Sequence, residues 1–206
     1  MCIYLGLKMA KNNAKPPHPS RGRRITVDPI RRLEDIDLVK QRLKGEPRNL
    51  LLFTLGINTG LRMGDLLRLK VATLAHLAAG EAITIVEQKT GKENVLQMNR
   101  AIRRALDAYL ERAEPVSGAW LFPSRKGKTP IRVDSAVKLV KKWTAGLPGN
   151  FGTHTLRKTW GYQQRVRFGT PIELITKRFG HRNPSVTMRY LGITTEEVAQ
   201  ILDHDI

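Results

Sequence analysis

Arg62, Lys89, His154, Arg157, His181 and Tyr190 follow one another along the chain. Together these residue types make a metal-free kit for phosphoryl transfer. Two guanidiniums can hold the non-bridging oxygens of a phosphodiester and stabilise charge gathering on phosphorus. A phenol can attack phosphorus and form a covalent ester. Its ordinary pKa is about 10, so it needs cationic surroundings or a base. A histidine can be that base, and a lysine can protonate the leaving alkoxide. The chain lacks a dense carboxylate cluster, so two-metal hydrolysis is not expected.

Each residue alone also has an ordinary reading. Arg62 lies in Thr59-Gly60-Leu61-Arg62-Met63-Gly64-Asp65, where an arginine at a helix end often pairs with a nearby carboxylate. Lys89 sits in a turn with Lys92 close by, and a turn lysine is usually solvated. His154 and Arg157 are three apart, on one helical face, and can present imidazole and guanidinium to one anion. On a surface that pair is common by chance. Tyr190 closes a short helix after Gly180-His181-Arg182-Asn183-Pro184, where a tyrosine is often a half-buried packing residue. Their order along one chain is what favours a joint role.

The elements that must position them are mostly helical. Helices are expected over 34–44, 48–59, 65–70, 101–113, 133–144, 154–168, 172–179, 185–191 and 196–202. Ile36, Val39 and Leu43 share the first apolar face; Val133, Val137, Val140 and Trp143 share the face of the 133–144 helix. Two strand-like segments, 82–87 and 93–98, flank Gln88-Lys89-Thr90-Gly91-Lys92 and predict a β-hairpin with a basic tip. Thr195 is the expected N-cap of the last helix. The fold class expected is α+β, mostly helical, with one small antiparallel sheet.

At about 100–200 residues per domain, 206 residues make one domain, or one with an appendage. Lys and Arg number 36 against 18 Asp and Glu, a net charge of +18. That balance favours polyanions, nucleic acid first and an anionic membrane surface second. Residues 1–22 hold Asn12-Asn13 and Pro16-Pro17-His18-Pro19-Ser20, and read as a flexible basic arm suited to phosphate contacts. The globular part begins near Arg23. The tail is acidic, with no Lys or Arg after Arg189. Cys2 is the only cysteine, which excludes an intrachain disulfide and a cysteine-based zinc cluster. The apolar run Leu50–Ile57 is too short to span a bilayer, and the N-terminus has no apolar signal-peptide core. A cytoplasmic protein is expected.

The segments TGLRMGDLLRLKV, VEQKTGKENVLQM, HTLRKTWGYQ and GHRNPSVTMRY resemble the catalytic domain of the tyrosine recombinase (phage integrase) family. The similarity runs from about Arg23 to about Leu202. It implies a tyrosine recombinase/type IB topoisomerase-like fold and a DNA cleavage-rejoining activity. Arg62 and Arg157 would clamp the scissile phosphate. Lys89 would be the general acid at the 5′ oxygen, and His154 would assist proton transfer from the nucleophile. His181 would hydrogen-bond the phosphate, and Tyr190 would attack, leaving a 3′-phosphotyrosyl enzyme and a free 5′-hydroxyl. Asp65 would brace the first arginine. Arg23, Arg24, Lys92, Lys158 and Arg182 are expected to contact DNA. No cofactor, metal or ATP is needed, because the bond energy stays in the ester. The partner would be double-stranded DNA, with a homotetramer on paired sites and a monomer off DNA. A bacterial or phage origin is expected.

Family members commonly carry a separate N-terminal core-binding domain. Here residues 1–22 precede a catalytic domain at 23–206, an arrangement resembling the short fimbrial phase-variation recombinases. The apolar face of Val198, Ile201 and Leu202 would pack on a neighbouring protomer or on its own domain. A type IB topoisomerase, a non-catalytic DNA-binding regulator derived from the family and a basic ribosome-associated protein are the rival readings. The topoisomerase would relax DNA without paired sites. The intact constellation argues against the other two.

Overall fold

The computed structural model describes residues 26–115, 118–125 and 128–193. The arm at 1–22, Arg23, Arg24 and the helix expected at 196–202 lie outside the described residues. The chain runs α1 (Leu33–Arg42), α2 (Pro47–Thr59), α3 (Met63–Leu67), α4 (Val71–Leu74), β1 (Ala82–Val86), β2 (Glu93–Gln97), α5 (Arg100–Ala113), α6 (Val133–Trp143), α7 (Thr153–Val166), α8 (Ile172–Phe179) and α9 (Pro184–Leu191).

Local chemistry explains the boundaries. Pro47 opens α2, where its fixed φ suits the first turn and its missing N–H costs nothing. Gly60, at φ 65°, closes it in the left-handed region. Asn99 caps α5 by accepting from Ile102 N at 2.9 Å, and Asn183 caps α9 by accepting from Val186 N at 3.1 Å. β1 and β2 pair antiparallel, with Ile83 opposite Leu96 and Ile85 opposite Asn94.

The core is built around α2, which packs against both α5 and α7. Leu51, Leu52, Phe53 and Leu55 are fully buried there. The approach to α7 requires Gly56: a Cβ on it would lie 2.5 Å from Leu156 Cδ1. A second apolar cluster joins Ile175, Phe179 and Leu191 with Trp160 and Tyr190, fastening α9 to α7 and α8. Among the described residues, no helix is long and apolar enough to cross a membrane.

Two expectations are revised. The buried face of α6 is Ala136, Val140 and Trp143; Val133, at the helix start, is exposed at the rim of a cavity described below. The segment expected as one helix over 65–70 is the shorter α3, after which the chain straightens and Lys70 pairs as an isolated bridge with Trp120.

Candidate active site

The end of α2 sets the first arginine. The left-handed Gly60 turns the chain and leaves Arg62 at the start of α3. Gly60 has no room for a side chain, since its Cβ would meet the Trp160 ring at 2.7 Å. The second arginine, Arg157 on α7, is only 3% exposed. Its Nη1 donates to Gly60 O at 2.6 Å and its Nη2 to Phe179 O at 2.9 Å. Those carbonyls end α2 and α8, where helix dipoles place negative charge. The guanidinium also stacks 4.4 Å from the Phe179 ring centre. Burial pulls its pKa down to about 10, with Tyr190 and Glu87 opposing, so it stays charged at neutral pH.

Arg62, Asp65, Lys89, His154 and Arg157 line one cavity of about 300 Å³. Arg62 Nη1 is buried and has no hydrogen bond among the described residues, although it forms an ion pair with Glu87. The hairpin carries exposed Lys89 to the same cavity.

Tyr190 reaches the site from α9. Its hydroxyl lies 3.0 Å from His154 Nδ1. Burial raises the phenol above its ordinary value, and the charges of Arg157 and Arg62 pull against that. His154 is lowered, first by burial and then by Arg157, Lys158, Arg62 and Lys89. It is therefore neutral at pH 7 and able to accept a proton. The His181 ring centre lies 5.0 Å from that of Tyr190, and its Nδ1 is 3.0 Å from Thr187 Oγ1. Burial, Arg157 and Arg62 bring its pKa down to about 4.

All six residues of the expected constellation thus converge, although they span positions 62–190. Three details differ from expectation. Asp65 does not pair with Arg62: its Oδ1 accepts from Gln88 N at 3.0 Å, so it braces the hairpin beside Lys89. The carboxylate beside Arg62 is Glu87, which the sequence reading missed. The readable signal was its register, since Glu87 extends the inward-facing alternation of Ile83 and Ile85. Lys158 is 6% exposed, with Nζ 4.9 Å from the Tyr190 ring centre, rather than on the surface. This stretch of α7 is covered on every side. Lys92 and Arg182 are exposed. Among the described residues, no group of three or more His, Cys, Asp or Glu is placed to hold a metal ion.

Residues 23–197 match the model of the phage integrase family. The chain belongs to that family. It is 35% identical over 170 residues to the probable integrase/recombinase YoeC of Bacillus subtilis (strain 168), covering 81% of this chain and 90% of that one. It is 31% identical over 159 residues to tyrosine recombinase XerD of Caulobacter vibrioides, covering 70% of this chain and 49% of the relative. The integrase-family chain therefore spans nearly the whole of the first relative and about half of the second. Its fold is similar to the crystal structure of XerA recombinase (TM-score 0.68, 20% identity, 91% of this chain and 66% of that one). It is also similar to the catalytic domain of bacteriophage HP1 integrase (TM-score 0.55, 18% identity, 87% and 95%). The mostly helical architecture with one two-stranded sheet is the tyrosine recombinase catalytic fold.

Proposed function

We propose that this chain cuts and rejoins double-stranded DNA at specific sites through a 3′-phosphotyrosyl intermediate, as a tyrosine-type recombinase or integrase. The observation that carries this reading is the 3.0 Å contact between Tyr190 Oη and His154 Nδ1, beside buried Arg157 and half-buried Arg62.

Arg62 and Arg157 bind the non-bridging oxygens of the scissile phosphate. Arg157 is held by two carbonyls, so its remaining N–H groups are already oriented when DNA arrives. Tyr190 Oη attacks phosphorus as its proton passes to His154 Nδ1. The bond from phosphorus to O5′ breaks, and the Lys89 ammonium gives a proton to O5′. The products are a 3′-phosphotyrosyl ester and a 5′-hydroxyl. His181 hydrogen-bonds the phosphate. The 5′-hydroxyl of a second strand then attacks phosphorus and gives its proton to the Lys89 amine; the bond from phosphorus to Tyr190 Oη breaks, and His154 returns its proton to that oxygen. The scissile bond's energy is conserved, so ATP is not required.

Residues 23–206 serve as the catalytic domain in this reading, and the basic residues 1–22, with Arg23, Arg24, Lys92 and Arg182, add phosphate contacts. Two relatives of similar fold support DNA as the partner: XerH site-specific recombinase bound to its difH substrate (TM-score 0.66) and a lambda integrase dimer bound to a COC′ core site (TM-score 0.60). Assembly as a homotetramer on paired sites, and kinship with the fimbrial phase-variation recombinases, belong to the same proposal.

The test uses nicked genomic fragments, because a short 5′ piece diffuses away and traps the ester. Wild type should form SDS-resistant protein–DNA adducts, and Tyr190→Phe should form none while binding DNA normally. Adducts that persist in Tyr190→Phe would move the nucleophile elsewhere. Tyr162, which lies beneath the Arg31 guanidinium, would be examined next.

A further inference from the structure

We propose that Glu87 is a positioning residue that locks the Lys89 hairpin in register with the Arg62–Arg157 pair. The inference rests on the phosphotyrosyl reading above.

Glu87 stands at the root of the hairpin and is only 4% exposed. A buried carboxylate needs partners for both oxygens, and here the partners divide in a telling way. Oε2 contacts Arg62 Nη1 and accepts from Thr90 Oγ1 at 2.7 Å. Oε1 faces Arg157 Nη1 at 3.9 Å and accepts from Asn94 Nδ2 at 3.1 Å. Each oxygen therefore joins one arginine to one hairpin residue. Thr90 directly follows Lys89, and Asn94 lies on β2.

The main chain reinforces the joint. Glu87 N donates to Lys92 O at 2.9 Å and Gly91 N donates to Glu87 O at 2.8 Å, which closes the turn around Lys89. A carboxylate placed here also offsets positive charge that a phosphate would otherwise meet. Its benefit is therefore geometric: it fixes where the lysine tip sits relative to the two guanidiniums. Among the described residues, no hydrogen bond or ion pair anchors the Lys89 side chain itself. A general acid must lie within hydrogen-bond reach of the leaving oxygen, so a loosened hairpin slows proton delivery.

The test separates the lysine from the arginines. A nicked duplex carrying the sequence recovered from wild-type adducts is made in two forms, one with the scissile 5′ oxygen replaced by sulfur. A thiolate leaves without a proton, since thiols ionise near about 8.5. Glu87→Gln and Thr90→Val should cleave the ordinary diester at least about tenfold more slowly than wild type. Both should cleave the sulfur substrate within about threefold of wild type and bind DNA within about twofold of it. Equal slowing on both substrates, or no slowing on the diester, overturns the proposal. Should Glu87→Gln fail to fold, Thr90→Val decides alone, because it keeps the carboxylate and both arginine contacts. A wild type that cleaves neither substrate contradicts the phosphotyrosyl reading itself, and the inference with it.

Discussion

Tyr190 Oη and His154 Nδ1 lie 3.0 Å apart, with the two rings edge to face at 84°. The contact joins the last described helix to the start of α7 and places a neutral imidazole against a half-buried phenol. It needs the apolar cluster of Phe179, Leu191 and Trp160 that holds α9 in place. The proposed nucleophile is thus presented by packing, and its proposed proton acceptor by the helix beneath.

Cleavage should depend on pH through His154. Burial and the surrounding cations keep its folded pKa below the usual 6.5. The neutral, proton-accepting form therefore persists below pH 6.5, and cleavage falls only as pH drops through that lowered value. Single-turnover adduct formation against pH measures this. An acid limb at or above 6.5 would contradict it.

The same sign applies to stability through His181, whose pKa is lowered from 6.5 to about 4. The unfolded chain binds the proton first as pH falls. Its contribution is fully present above about pH 6.5 and is lost progressively down to about 4. Denaturant midpoints should decline across that window. His181→Gln should flatten this part of the decline.

Arg157→Lys should not substitute for arginine. An ammonium cannot reach Gly60 O and Phe179 O together while facing the cavity. Leaving one of these buried carbonyls unpaired costs about 1–3 kcal/mol. The midpoint of unfolding should fall, and adduct formation should drop by at least about a hundredfold. Near-normal cleavage would show that the carbonyl clamp is dispensable.

Gly161→Ala should loosen the cluster that carries Tyr190. A Cβ there would lie 2.7 Å from Phe179 Cζ and 2.8 Å from Leu191 Cδ2. Overpacking of this kind costs about 1–3 kcal/mol. Thermal unfolding reads the loss, and slower adduct formation should accompany it. An unchanged melting temperature would show that α9 shifts freely.

DNA binding should weaken steeply with salt, since each neutralised phosphate releases counterions. A flat dependence of log affinity on log salt would count against the phosphate contacts assigned to the arm and the clamp.

Much of this was legible in the sequence because it is periodic or capped. The hairpin showed as two alternating segments around Lys89, and α8 showed as a clean apolar stripe from Ile172 to Phe179. Glu87 was hidden because a charged residue ending a strand reads as solvated, and only its inward register betrays it. The family resemblance pairs Asp65 with Arg62, but the hairpin's return, which puts Gln88 N over Asp65, is a long-range contact that no local pattern encodes. Lys158 misled for the opposite reason. Its neighbours Thr155, Leu156, Arg157, Thr159 and Gly161 are all buried, so this stretch of α7 has no polar face to read.

The decisive measurement identifies the side-chain atom that carries DNA. Wild-type adducts on nicked DNA should be digested with nuclease and protease, and the peptides sequenced by mass spectrometry. A nucleotide should be found joined through its 3′ phosphate to Tyr190, and to no other residue. A nucleotide on a different side chain, or a 5′-phosphate linkage, would contradict it.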